Sequence, residues 1–301
     1  MSSILMVAGL GWVGYLLITA VDDPRRFIPD SMAWLIVATG LVALSLATNI
    51  WLFSLFLHAG PGQRYPFGLV ARLSVAGQLL RYLPGRFWGL AYQINVAGQR
   101  IPALYLTRAN IDLMVFSLLG STLVAFVLVG KQQGWSWEIL VALSVGGIAL
   151  VGGLFLGGAN WLIKIFASRL PGKARKILTE LAMAQPTASR LTLIFTIFLG
   201  SWVLYLSGWN LLGLVFHSFS KVDFTSLCAF YTLASVIGIV SALTPAGLGV
   251  REAAFLVLAA SSATHEVVAF FAVFGRIWLM LIDVALLMAV MSFFSITKDA
   301  S

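Results

Sequence analysis

A chain of 301 residues that is 60% hydrophobic and only 10% charged, with a mean hydropathy of +0.98, cannot hide its apolar surface in one water-soluble core and needs lipid as solvent. Its 19 Lys and Arg against 11 Asp and Glu leave a net charge of +8. These charges fall between apolar stretches, so anionic lipid headgroups are the expected partner and nucleic acid is not. One cysteine, Cys228, excludes an intrachain disulfide and a Cys-based cluster, and the scattered His58, His217 and His265 argue against a multi-His metal site.

The apolar stretch at 4–21 begins without a basic leader region and reads as a retained helix, not a cleaved signal. Further stretches at 32–57, 103–129, 139–163, 191–216 and 267–294 exceed the roughly 20 residues that cross a hydrocarbon core of about 30 Å. The expectation is an all-α integral membrane protein of about six transmembrane helices in a single domain. Trp34, Trp135, Trp137 and Trp161 fall near span ends, where indoles favour the headgroup level.

The most basic interval, 164–190, carries Lys164, Arg169, Lys173, Arg175, Lys176 and Arg190 against Glu180. Excess Lys and Arg mark the cytoplasmic side. Counting from that anchor puts 131–138 outside, 64–100 inside, 22–30 outside and both termini in the cytoplasm.

Two regions are not simple spans. The stretch 67–97 is apolar yet holds Arg72, Arg81 and Arg86 and is broken at Pro84-Gly85; the stretch 224–263 is broken at Thr244-Pro245-Ala246-Gly247-Leu248-Gly249. After the second break only about 13 residues remain, too few to cross alone. Proline removes a donor and glycine weakens a helix, and lipid cannot satisfy the backbone groups set free. Both regions therefore read as re-entrant helix-break-helix elements, with a full crossing by 224–243 as the alternative. The order span, span, re-entrant, span then occurs twice, with the halves 1–130 and 137–295 inserted from opposite sides. That is the arrangement of an inverted repeat, which places a transporter's site at the midplane.

Charged residues inside spans cost roughly 2.5 to 3.5 kcal/mol each on insertion scales, so they should face protein or a wet cavity. Arg108 and Asp112 stand four apart, and Arg276 and Asp283 seven apart, each pair on one helix face. They read either as a headgroup or ion site or as pairs that lock helices together. Arg251 and Glu252 follow the second break at a helix start, where amides and a guanidinium suit a phosphate; the plainer reading makes Glu252 a first-turn acid compensated by Arg251. Arg81 and Arg86 flank the first break, with forked donors matched to phosphate, or serve only as positive-inside arginines. No Walker loop, no nucleophile with its base and no long soluble stretch is present, so no enzyme or nucleotide cofactor is expected.

Leu83-Pro84-Gly85-Arg86 with Gly89, Arg108-x-x-x-Asp112, Thr244-Pro245-Ala246-Gly247-Leu248-Gly249-Val250-Arg251-Glu252 and Arg276 together resemble the transmembrane region of lysylphosphatidylglycerol synthetases and its stand-alone relatives. The resemblance covers nearly the whole chain and implies a prokaryotic inner-membrane flippase for a phospholipid or a polyprenyl-phosphate-linked glycolipid. Arg81, Arg86, Arg108, Asp112, Arg251, Glu252 and Arg276 are then the headgroup contacts. The aminoacyltransferase domain of those synthetases has no counterpart here, so lysine transfer is not implied. The alternatives are a non-transporting partner that presents lipid-linked substrate to a membrane enzyme, and an ion-coupled transporter of a small solute using Asp112 and Asp283.

Overall fold

The computed structural model describes residues 28–57, 65–80, 82, 88–158, 172, 186–219, 221–241, 247 and 249–295. Among them the chain forms nine α-helices and no strand: α1 (Met32–Leu57), α2 (Phe67–Leu80), α3 (Trp88–Ala97), α4 (Ala103–Gln132), α5 (Trp137–Gly153), α6 (Ala188–Val215), α7 (Phe224–Ser241), α8 (Val250–Ala259) and α9 (His265–Ser295). The expected span at 4–21, Trp161 and most of the basic interval 164–190 lie outside the described residues.

Among the described residues six helices are long and apolar enough to cross a membrane, namely α1, α4, α5 with its extension to Leu156, α6, α7 and α9. Large apolar side chains point outward from them, among them Val203 at 63%, Leu150 at 61% and Phe293 at 78% exposed, an arrangement that calls for hydrocarbon around it. The chain is an all-α integral membrane protein. Several hydroxyls within the spans donate to their own helix, as with Thr39 on Leu35 O, Ser144 on Leu140 O and Thr232 on Cys228 O. The α5 helix departs from the apolar pattern that suggested 139–163: its α-helical course ends at Gly153 and passes into a π-helical turn, Leu154–Gly158, and Gly152, Gly153, Gly157 and Gly158 at its two ends lower helix propensity.

Helix directions follow from the contacts. Asp30 N donates to Val215 O at 2.8 Å and Ser45 Oγ to Ser201 O at 2.7 Å, while Gly208 lies against Ala38 and Val42. Rising numbers on α1 thus meet falling numbers on α6, and the two are antiparallel. α4 turns into α5 at Gly134 and Gly147 meets Leu123, a second antiparallel pair. In the core, Phe116 is wholly buried and takes the rings of Phe195 and Phe198 at 5.0 and 5.2 Å in edge-on contact, the geometry aromatic quadrupoles prefer.

Both broken regions fold back on themselves. Gly77 of α2 touches Gly89 of α3, and Gln93, one turn further along α3, donates to Leu73 O one turn back along α2. Gly238 of α7 touches Gly247 and Arg251, and Tyr231, two turns earlier, meets Phe255 of α8. Each is therefore a helical hairpin. Ten residues of α3 or α8 span only about 15 Å, half a hydrocarbon core, so neither second arm crosses. The α7 arm is long enough to cross by itself, the alternative reading of this region, and α8 returns along it.

The hairpins open at opposite ends of the bundle. Phe67, at the mouth of the first, packs with Phe294 at the end of α9. Ser262, just beyond the second, accepts from Gln132 at the end of α4 and precedes the start of α9. Because α9 runs 31 residues, or about 46 Å, its two ends mark the two faces of the bundle.

Candidate functional site

The tip of the second hairpin is built on glycine. Gly247 and Gly249 have φ of +70° and +81°, a region that L side chains avoid, and a Cβ on Gly247 would sit 2.8 Å from Gly238 Cα. Only glycine lets the backbone of the break lie against α7. Gly249 then caps α8: its amide donates to Glu252 Oε2 at 2.7 Å, which satisfies one of the helix's free amides with a carboxylate at the positive end of the dipole.

The other oxygen of Glu252 is also engaged. Arg276 Nη1 donates to Glu252 Oε1 at 2.7 Å, and Glu252 is only 1% exposed. Glu252 is thus compensated by Arg276 of α9 and not by its neighbour Arg251, since consecutive helical residues point about 100° apart. Arg251 lies instead along α7 toward Tyr231, its guanidinium carbon 4.1 Å from the ring centroid, within cation–π range. Its Nε and Nη2 are buried without a hydrogen-bond partner, and so is the Tyr231 hydroxyl. That hydroxyl lies over Gly275, where a Cβ would come within 3.0 Å of it. Tyr231, Arg251, Glu252, Gly275 and Arg276 therefore meet at one place between α7, α8 and α9.

No protein-family model matches this chain, and no curated protein matches it. Its functional reading accordingly rests on these residues and their surroundings.

The first hairpin reaches the same helix. Tyr82, just past α2, donates to Asp283 Oδ2 at 2.8 Å, and Asp283, 2% exposed, lies two turns beyond Arg276 on α9. The two hairpins, inserted from opposite ends, are thus both tied to the central turns of α9. Arg81, Pro84, Gly85, Arg86 and Pro245 lie outside the described residues. Gly89 is described and forms the close contact with Gly77: a Cβ there would sit 2.8 Å from Gly77 O. Gln93, buried beside them, accepts from Asn110 Nδ2 at 2.6 Å while donating to Leu73 O, which ties α2, α3 and α4 together.

Arg108 and Asp112 form a pair of their own on α4 at 2.9 Å, with side chains 10% and 14% exposed. No hydrogen bond or ion pair joins them to Arg251, Glu252 or Arg276 among the described residues. Arg108 Nη1 is buried without a partner, so the pair leaves donor capacity unused. Among the described residues no group of three or more His, Cys, Asp or Glu is placed to hold a metal.

Tyr231, Gly275 and Tyr82 were not picked out from the sequence. Tyr231 carried one signal, a phenol in the middle of an apolar helix, since a buried tyrosine hydroxyl ordinarily has a partner. Gly275 and Tyr82 gain their meaning only from contacts far along the chain.

Proposed function

We propose that this chain is a lipid translocator that carries a phosphate-bearing headgroup past the midplane while the acyl or prenyl tails remain in the bilayer. The observation that carries the reading is Arg251: a guanidinium in a membrane bundle, held by a broken helix, with two buried donors that have no acceptor and, among the described residues, no ion pair of its own, since Glu252 pairs with Arg276. A cation without an anion to pair with is disfavoured inside a membrane bundle, and a headgroup phosphate supplies the missing charge. The two hairpins tied to α9 from opposite ends support the same reading, because discontinuous helices meeting near the midplane are a transporter arrangement. The resemblance to the transmembrane region of lysylphosphatidylglycerol synthetases points to the same class.

In this mechanism the phosphate binds Arg251 and then competes with Glu252 for Arg276. Re-formation of the Glu252–Arg276 pair ejects it. Arg81, Arg86 and Arg108 with Asp112 serve as further headgroup contacts. The protein sits in a prokaryotic inner membrane with the basic interval 164–190 and both termini in the cytoplasm, and its halves 1–130 and 137–295 act as inverted repeats. No bond of the lipid is made or broken.

The test is a leaflet-accessibility measurement in proteoliposomes with headgroup-labelled phosphatidylglycerol and polyprenyl-phosphate lipids. Wild type should move one of them, and Arg251→Gln should lose that movement with its melting temperature unchanged. Arg251 suits this better than Arg276, whose removal would strand the Glu252 carboxylate. Movement of neither lipid would sink the translocator reading in favour of a partner that presents lipid-linked substrate to a separate membrane enzyme.

A further inference from the structure

Arg251 is held at both ends by one face of α7. Its stem lies on Gly238, where a Cβ would come within 3.1 Å of Arg251 Cβ, and its guanidinium carbon sits over the Tyr231 ring, 4.1 Å from the centroid. Positions 231 and 238 are seven apart, two turns along the same side of the helix. The Tyr231 ring is itself fixed from three helices. Trp209 of α6 approaches it at 5.0 Å, Phe255 of α8 meets it edge-on at 5.4 Å, and a Cβ on Gly275 of α9 would be 3.0 Å from its Cε2, Cζ and Oη atoms. Trp209 and Phe255 are wholly buried, which leaves the ring little room to turn.

We infer that Tyr231 is the positioning residue of the anion site, its ring standing where an ion pair would place a carboxylate. The inference rests on the translocator reading and concerns how the receptor in that reading is kept ready. A ring attracts a guanidinium through its π face, whereas the N–H bonds lie in the guanidinium plane. The contact therefore offsets part of the charge and consumes no donor, and Nε and Nη2 of Arg251 are both buried without a partner. An acid in the same place would occupy those donors, and an arriving headgroup would have to displace it, as the mechanism requires of Glu252 at Arg276. Arg251 needs no such displacement and is preorganised for the anion. The Tyr231 hydroxyl has no hydrogen-bond partner, so the ring and not the phenol oxygen holds the guanidinium.

The experiment is native mass spectrometry of the full chain in detergent, scoring retention of phosphatidylglycerol and of a polyprenyl phosphate. Residue 231 is varied through Tyr231→Phe, Tyr231→Leu and a series of mono-, di- and trifluorinated phenylalanines, which keep the shape of the ring and progressively weaken its π face. Tyr231→Phe should retain lipid within about twofold of wild type and Tyr231→Leu about tenfold less. A desolvated cation–π contact is worth about one decade, and apparent affinity falls with the fraction of Arg251 held in place. The fluorinated series should descend stepwise from the phenylalanine value toward the leucine value. A ring that served only to fill space would give a flat series, because the shape does not change. A flat series, or Tyr231→Leu retaining lipid like wild type, overturns the inference. Tyr231→Phe losing as much as Tyr231→Leu makes the hydroxyl the contact and overturns it too. So does a wild-type chain that retains neither lipid, for Arg251 is then aimed at no such anion. Retention is read without transport, so a graded series in a chain that moves no lipid sinks the translocator reading alone. A chain that moves lipid and gives a flat series sinks only this inference.

Discussion

Glu252 and Arg276 are 24 residues apart in sequence and 2.7 Å apart in space, with the carboxylate almost wholly buried. The pair fastens the short α8 arm to α9, and its two members are unequal. Glu252 also caps α8 through Gly249 N, whereas among the described residues Arg276 has the one carboxylate. Removing either partner of a buried ion pair leaves the other charge exposed to low dielectric, which typically destabilises by about 3 to 5 kcal/mol. Arg276→Ala should therefore lower the unfolding midpoint in detergent more than Arg276→Lys, and Glu252→Gln should fall between them because its amide oxygen still accepts. Equal melting of all three with wild type would mean the pair is solvated in the working protein.

The tie between Tyr82 and Asp283 is the corresponding link for the first hairpin. A hydrogen bond to a buried carboxylate contributes about 1.5 to 3 kcal/mol, and this one spans 201 residues of chain. Tyr82→Phe should reduce stability by about that amount and should loosen the hairpin tip, read as faster labelling of a cysteine introduced at Leu79 or Leu80 in a Cys228→Ser background. Asp283→Asn keeps an acceptor and should have the smaller effect. A Tyr82→Phe protein that melts and labels like wild type would show that the tip is held by other contacts.

Most of the framework could be read from the sequence because long apolar stretches leave few choices in lipid. The helices α1, α4, α6 and α9 are 26 to 31 residues long, and no soluble core would take them. The break in 67–97 was visible because Pro84-Gly85 falls in the middle of it. The course of 224–263 was less legible: eighteen residues of α7 are enough to cross, and the return shows in the close fit of Gly238 against Gly247, nine residues on, and of Tyr231 against Phe255. The partner of Glu252 could not be read at all. The adjacent Arg251 looked like its counter-ion, but the helical turn between neighbours sends the two side chains to different helices, one to α9 and one to Tyr231 on α7. Long-range polar partners follow from helix packing, which local spacing does not encode.

Gln93 gives a prediction about that packing. It is 1% exposed and bridges Leu73 O and Asn110 Nδ2. Replacing it by leucine removes the acceptor of the Asn110 amide, and an unsatisfied buried donor costs about 1 to 3 kcal/mol. Asn110 has a second acceptor in Leu106 O, so the loss should lie toward the lower end. Gln93→Leu combined with Asn110→Leu should then be less destabilising than the two single losses added together, because groups in one network couple. Strict additivity in thermal unfolding would show that the bridge contributes nothing.

The glycines separate positions that look alike in sequence. A Cβ on Gly89 would lie 2.8 Å from Gly77 O and 3.3 Å from Gly77 Cα, both backbone atoms, whereas a Cβ on Gly40 of α1 meets nothing within 4 Å. Gly89→Ala must drive α2 and α3 apart and open the first hairpin, and overpacking of this kind costs typically about 1 to 3 kcal/mol. Gly40→Ala should be neutral or should stabilise by up to about 1 kcal/mol, the helix-propensity difference between the two residues. Both variants place one extra methyl group in an apolar helix, so any effect of hydrophobicity on insertion is shared and cancels in the comparison. If Gly89→Ala melts with Gly40→Ala, the two arms of the hairpin do not pack at Gly77 in the membrane, and the closed hairpin that carries Tyr82 to Asp283 is not the working arrangement.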